Sequence, residues 1–433
     1  MKLANMAENK VKKSPVAIND LAIGHFVELP LGWKDHPFMF NSFKIKNQEQ
    51  LTIIQALGLS QVDVDWQKSD VKPITPAQSE NPPEQPVKKV VRELTEEEKQ
   101  RAISKQLRMD NKRADAAYHH SLLKFREAMG QFGLAPEEAL VEIKTLITAL
   151  CADVYASPTT KVMHVIQAQP SSDDLFYHSL NVTVLCLVAA KALEWSETEA
   201  QTLCLSAFLH DIGLLKVPTS IRRKTTPLTT SEDNFYKMHT TYGVELIKKA
   251  NCFPSEVLPL IAQHHERLDG SGYPKQVKAN QLDEMTQLLG LVDAYDNLCF
   301  PHPSQKALSP RSAIALMFKQ SETKFNRSML EVLVKLLGVY PPGSLVQLDD
   351  NTPALVMSTN PEDAMNPNVL IYEVGKNQST GLVIPLAKHE RNISRVLSFE
   401  DLDELATRYF NNHIRYCLYF SPRVASAESP LPG

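Results

Sequence analysis

The placement of the paired histidines and carboxylates constrains this chain most. His210-Asp211 closes the apolar run Leu203–Leu209, and His264-His265 closes a second helical pattern, Ser255–His264. An unpaired imidazole or carboxylate is costly to bury, so these helices must end around something that satisfies both groups. Mixed nitrogen and oxygen donors of this kind hold divalent cations for hydrolysis. His119-His120 serves as a control: it lies in a polar, charged stretch, and no chemistry is assigned to it. Asp174 and His178 are four apart in a helical pattern and so share a face. His239 lies in the pattern Ser231–Ala250, and Asp293 in Asp283–Asn297. Singly, His178 or His239 would be read as structural. Together these residues put six or more donors on four or five helices, the usual construction of a metal site in a helical bundle.

The rest of the chain sets the frame. A length of 433 residues exceeds one typical core. The formal net charge of −4 gives no drive toward nucleic acid or anionic membrane, so an anionic substrate needs local positive charge. The six cysteines include no C-x-x-C pair and read as buried free thiols in a reducing compartment. Met1 to Lys13 is charged, and no later run reaches ~18–20 uninterrupted apolar residues, so no membrane span and a cytoplasmic location are expected. Composition shifts divide the chain into a small α+β unit (1–68), a proline-rich linker (69–92), a charged connecting helix (93–134), a helical catalytic region (135–338), a β-rich extension (339–420) and a tail (421–433). The connecting helix is solvated by default; transmitting a signal or forming a homodimer is its alternative role. The fold class expected is mainly α: a helical-bundle core with a small α+β domain before it and a small β-rich extension after it.

The spacing of His178, His210-Asp211-Ile212-Gly213, His239 with Gly243, His264-His265-Glu266, Asp269-Gly270, Gly272-Tyr273-Pro274 and Asp293 resembles the HD-GYP phosphodiesterases. These are a branch of the HD hydrolase superfamily that cleaves the bacterial second messenger cyclic di-GMP. The likeness covers about Asp173 to Gly338. Leu21, Gly24, Val27, Gly32-Trp33 and His36-Pro37-Phe38 are similar to a domain of unclear role that often precedes it.

The resemblance implies an HD-superfamily core with His178, His210, Asp211, His239, His264, His265 and Asp293 as ligands of two divalent metals, iron or manganese being favoured. Asp211 would bridge them, Asp174 could add a third, and His210 with Asp211 would form the catalytic heart. A water between two cations would supply hydroxide, cutting cyclic di-GMP to pGpG or GMP. Gly270, Gly272, Tyr273, Arg267 and Lys216 are the substrate-contact candidates; a packed loop tyrosine and a surface arginine are the plain readings of Tyr273 and Arg267. Two departures stand out: Leu214 replaces the usual lysine after His-Asp-Ile-Gly, and Pro301-His302-Pro303-Ser304-Gln305-Lys306 replaces a phosphate-gripping segment. A cyclic di-GMP receptor without turnover, a docking module for diguanylate cyclase (GGDEF) proteins and a hydrolase of another nucleotide are the competing functions.

Overall fold

The structure, a computed structural model, describes residues 13–30, 38, 41–55, 57, 59–71, 95–156, 161–168, 174–376, 381–410 and 415–420. Gly32-Trp33 and His36-Pro37, most of the proline-rich linker and the tail lie outside the described residues. Two compact units divide the chain, 1–91 and 92–433.

In the first unit, strands β1 (Lys13–Ala17), β2 (Phe26–Glu28), β3 (Ser42–Lys44) and β4 (Gln61–Asp65) form an antiparallel sheet in the order β1-β4-β2-β3. One helix, α1 (Gln48–Gln55), accompanies it. The alternation expected over 61–65 is present: Val62 and Val64 turn inward, and Gln61 and Asp63 outward. With Ile18, Leu21, Val27, Ile45, Leu51 and Ile54 these valines make a small core of its own.

The second unit opens with α2 (Glu96–Gln131), started by a reciprocal capping box between Thr95 and Glu98. Despite its charge density this helix is not solvated all round. Ala114, Tyr118, Leu122, Phe125 and Ala128 recur at helical spacing and are buried in the main core. Helices α3 (Pro136–Tyr155), α4 (Asp174–Ala192) and α5 (Glu197–Leu209) follow, with strand β5 (Met163–Ala168) between α3 and α4. The stretch Leu175–Ala192 is long and apolar enough to cross a membrane, yet 78% of it is buried inside the fold. Its apolar surface is used as the central helix of the bundle.

A short 3-10 turn over Ile212–Lys216 leads to α6 (Thr219–Arg222), α7 (Thr230–Lys237), α8 (His239–Ala250) and α9 (Val257–Gln263). The single helical pattern expected over Ser231–Ala250 is split at Met238. The amide of Met238 reaches back only to Phe235 O at 3.1 Å, which tightens the last turn of α7 and lets α8 start afresh at His239. Helices α10 (Glu284–Cys299), α11 (Pro310–Gln320) and α12 (Arg327–Leu337) complete the bundle.

The C-terminal strands β6 (Leu345–Leu348), β7 (Pro353–Ser358), β8 (Asn368–Ile371), β9 (Val383–Pro385), β10 (Ile393–Leu397) and β11 (Arg415–Phe420) form a sheet with one more helix, α13 (Glu404–Phe410), beside them. This sheet is not confined to the C-terminal extension. Strand β5, from between α3 and α4 of the helical core, pairs antiparallel with β11 from Met163↔Phe420 to Ala168↔Arg415 and touches β7 at His164↔Ser358. The sheet therefore closes onto the bundle in sequence as well as in space.

Candidate metal centre

Five helix ends or faces bring the expected donors together. His178 projects from the first turns of α4, His210 and Asp211 follow α5, His239 begins α8, His264 and His265 follow α9, and Asp293 sits in mid-α10. Two glycines make this convergence sterically possible. A Cβ at Gly213 would sit 1.8 Å from the carbonyl oxygen of His239, and one at Gly243 would sit 2.8 Å from Ile261 Cγ2. Only bare backbone lets the turn after Asp211 lie against the start of α8.

Three imidazoles are oriented by the backbone of their own helices. Nδ1 of His210 donates to Ala207 O at 2.7 Å, that of His239 to Tyr236 O at 2.8 Å, and that of His264 to Ile261 O at 2.9 Å. A carbonyl can only accept, so each Nδ1 carries the proton and each Nε2 presents a lone pair. His178 is held differently: its Nδ1 lies 2.6 Å from Asp296 Oδ2. Asn181, one turn along α4, donates its amide to Asp296 and accepts from the Leu418 amide at 2.7 Å. A chain of contacts thus runs from strand β11 through Asn181 and Asp296 to His178.

The Nε2 atoms converge on two carboxylates. Asp211 Oδ1 is 3.3 Å from His239 and 3.6 Å from His264; its Oδ2 is 3.6 Å from both His178 and His210. Asp293 spans the same divide: Oδ1 is 3.2 Å from His178 and 3.6 Å from His210, and Oδ2 is 3.2 Å from His265 Nδ1. Donor atoms of Asp211, His239, His264 and His265 lie within 4.8 Å of one another, as do those of His178, His210 and Asp211. Two groups of ligands share one aspartate.

Side chains alone leave this cluster unsatisfied. Asp211 Oδ1 and Asp293 Oδ2 are buried without a hydrogen-bond partner. Nε2 of His178 lies 3.1 Å from Nε2 of His210, and Nε2 of His239 lies 3.3 Å from that of His264. Ring nitrogens facing one another at such range need a shared positive charge between them. A cation about 2.1 Å from each ligand gives ligand–ligand edges of about 3.0–3.4 Å, so the cluster fits divalent metal.

The electrostatics agree. Burial opposes the charged form of His178, but the carboxylates of Asp293, Asp296 and Asp211 outweigh it and push the imidazole up to about 10. Burial dominates at His239, driven down to about 4, and at His265, driven down to about 3 with His264 adding to the effect. Burial would raise Asp211, yet His210, His264, His239 and His178 hold it well below the usual carboxylate range. Asp293 is likewise held low, by His265, His178 and His210.

Beside the cluster opens a cavity of about 350 Å³, lined among others by Asp211, Tyr236, Lys237, His265, Arg267, Tyr273, Asp293, Asn297 and Lys324. Tyr273 stacks on His265 with ring centres 4.6 Å apart. Its loop is clamped by Glu266, whose carboxylate accepts from the amides of Lys275 at 2.6 Å and Val277 at 3.1 Å. Gly272 is pressed against this clamp, where a Cβ would fall 2.4 Å from Glu266 Cα, and Gly270 takes φ +80°. Neither glycine lines the cavity. Arg267 does, but its guanidinium donates to His264 O at 3.1 Å and Glu266 O at 2.8 Å, bracing the helix end. Lys216 lies outside the lining and pairs with Glu245 at 3.2 Å on the surface. Leu214 is buried and also outside it. Asp174 is the first residue of α4, and its side chain is outside the described residues.

Sequence reading missed Asp296, Asn181, Asn297 and Tyr236. A signal existed for the first three. Asp296 and Asn297 follow Asp293 by three and four positions, Asn181 follows His178 by three, and all therefore share a helical face with a ligand. Asn297 donates to Asp293 Oδ1 at 2.7 Å.

Comparison with known proteins gives the following. Residues 161–329 match an HD domain, and residues 13–143 match a domain of unknown function, DUF3391. A cyclic di-GMP phosphodiesterase of Pseudomonas aeruginosa is 25% identical over 82% of this chain and 84% of its own length. A cyclic di-GMP phosphodiesterase of Borreliella burgdorferi is 25% identical over 54% of this chain and 62% of its own. A 3′3′-cGAMP-specific phosphodiesterase of Vibrio cholerae is 30% identical over 38% of this chain and 35% of its own.

Proposed function

We propose that this chain, which carries an HD domain behind a DUF3391 domain, is a metal-dependent phosphodiesterase that hydrolyses cyclic di-GMP. The observation that carries the reading is the pair of ligand groups sharing Asp211, set in the wall of a cavity with cationic residues. His178, His210 and Asp211 would hold one divalent ion, and Asp211, His239, His264 and His265 the other, with Asp293 reaching toward both. This mixture of imidazole and carboxylate suits iron, manganese, zinc or nickel, and the family resemblance favours iron or manganese. Such ions supply a water acidified to near-neutral pKa and positive charge for the phosphoryl oxygens.

The chain's own residues do the rest. Backbone carbonyls and Asp296 fix four of the five imidazoles, which limits reorganisation when substrate arrives. Tyr273, stacked on His265 and held by the Glu266 clamp, bounds the space above the cluster. Hydrolysis joins a water oxygen to phosphorus and breaks the P–O3′ bond, leaving a 5′-phosphate and a free 3′-hydroxyl that takes a proton. One cut yields pGpG; a second yields GMP. A cytoplasmic location is part of this proposal. A receptor that binds without cutting is disfavoured, because binding alone has no use for two complete ligand groups.

The test is turnover of cyclic di-GMP, followed by chromatography, on protein prepared anaerobically with iron or manganese, beside Asp211→Ala. Cleavage by the wild type alone is expected, and the products report one cut or two. Running 3′3′-cGAMP in competition decides between the two cyclic dinucleotides. No cleavage at full metal occupancy overturns the reading.

A further inference from the structure

The cations lining the cavity are not equivalent. The guanidinium of Arg267 is spent on two backbone carbonyls and lies over the Phe325 ring, 5.3 Å from its centre. The ammonium of Lys237 pairs with Asp233 at 2.6 Å, so that cation and carboxylate line the cavity as a neutral couple. Lys324, in the turn between α11 and α12, differs from both. Its amide donates to Gln320 O at 2.9 Å and its carbonyl accepts from Leu268 at 3.2 Å, so its backbone is fixed. Its charge is felt by Asp269, but among the described residues no carboxylate comes within ion-pairing distance of its ammonium. It is a half-buried lysine on a fixed backbone in the cavity wall, with no ion pair among the described residues.

A cyclic dinucleotide carries two phosphodiesters, and the metal cluster neutralises only the one being cut. The other must also enter the cavity, where an unpaired anion is costly. The lysine and arginine that would grip phosphate by family resemblance are absent: Leu214 is buried away from the cavity, and His302 spends Nε2 on Ile221 O at 2.9 Å and Nδ1 on Ser304 at 2.8 Å. We infer that Lys324 is the specificity-determining cation that takes the second, uncut phosphodiester of the cyclic dinucleotide. The inference rests on the phosphodiesterase reading above and adds to it the residue that would favour a two-phosphate substrate over a one-phosphate substrate.

The test compares metal-loaded wild type, Lys324→Gln and Lys324→Arg on cyclic di-GMP and on bis(p-nitrophenyl) phosphate, which has a single phosphodiester. Loss of a charge-assisted contact to the uncut phosphate should raise KM for cyclic di-GMP about ten-fold or more. The preference for cyclic di-GMP over bis(p-nitrophenyl) phosphate, as a ratio of kcat/KM, should fall by the same factor, and Lys324→Arg should restore most of it. An unchanged ratio, whether both substrates suffer equally or neither does, overturns the inference. If wild type cleaves neither substrate, the hydrolytic reading fails separately. Equilibrium titration with cyclic di-GMP then decides: ten-fold weaker binding by Lys324→Gln supports the contact, and equal binding refutes it.

Discussion

The two halves of the candidate metal centre are not built alike. On one side His239 and His264 are each fixed by a carbonyl three residues earlier in the chain, a device as local as a helix turn. On the other side His210 is fixed in the same local way, by Ala207 O, but His178 depends on Asp296, which depends on Asn181, which is tied to the amide of Leu418. A carboxylate behind an imidazole raises its basicity and its strength as a ligand, whereas a carbonyl mainly fixes direction. The surroundings differ as well: burial drives His239 down to about 4, whereas the carboxylates of Asp293, Asp296 and Asp211 outweigh burial at His178 and push it up to about 10. The first half is self-contained. The second adds to a locally fixed His210 one ligand, His178, whose hold runs to a strand more than two hundred residues away.

Substitutions can break or sharpen this contrast. Asp211→Asn should have the largest effect, because one carboxylate serves both halves. Turnover should fall about 10²–10³-fold or more, and metal content should drop on both sides, read by elemental analysis with the kinetics. Gly213→Ala should strike the self-contained half, since the new methyl collides with the His239 carbonyl. A cost of about 1–3 kcal/mol or more in the denaturant midpoint is expected, with loss of activity. Asp296→Asn should weaken the His178 half alone: about 10–100-fold lower affinity for one metal, and the other retained, measured by competition with a chelator. Asn181→Leu should act in the same direction more weakly, its main cost being about 1–3 kcal/mol for the unpaired Leu418 amide. Lys216→Ala should do least, changing KM less than about two-fold, because its partner Glu245 is on the surface and exposed pairs contribute about 0–1 kcal/mol.

How much was legible in the sequence follows the same division. The helix-terminal pairs His210-Asp211 and His264-His265 declared themselves by ending apolar runs, and the strands at 61–65 and 345–348 lie where alternation and β-branched content place them. These are properties of a few neighbouring residues. The role of Asp296 was not legible as such, because it depends on which helix α4 meets. Nor was strand β5: Met163–Ala168 becomes a strand by pairing with β11 at the far end of the chain. The charged helix α2 read as solvated, since its buried stripe of Ala114, Tyr118, Leu122 and Phe125 is thin against its many charges. Lys216, a substrate-contact candidate in the sequence, could replace the lysine missing at position 214 only if the chain bent favourably. The turn over Ile212–Lys216 directs it outward instead.

The central claim is that two metals sharing Asp211 make the hydrolytic site. Its most direct test is cyclic di-GMP turnover by chelator-stripped protein as manganese is returned in measured equivalents. The account predicts no turnover without metal, little after the first equivalent per chain, and a rise as the second binds, all absent in Asp211→Asn. Full turnover at one equivalent, or by metal-free protein, would contradict it.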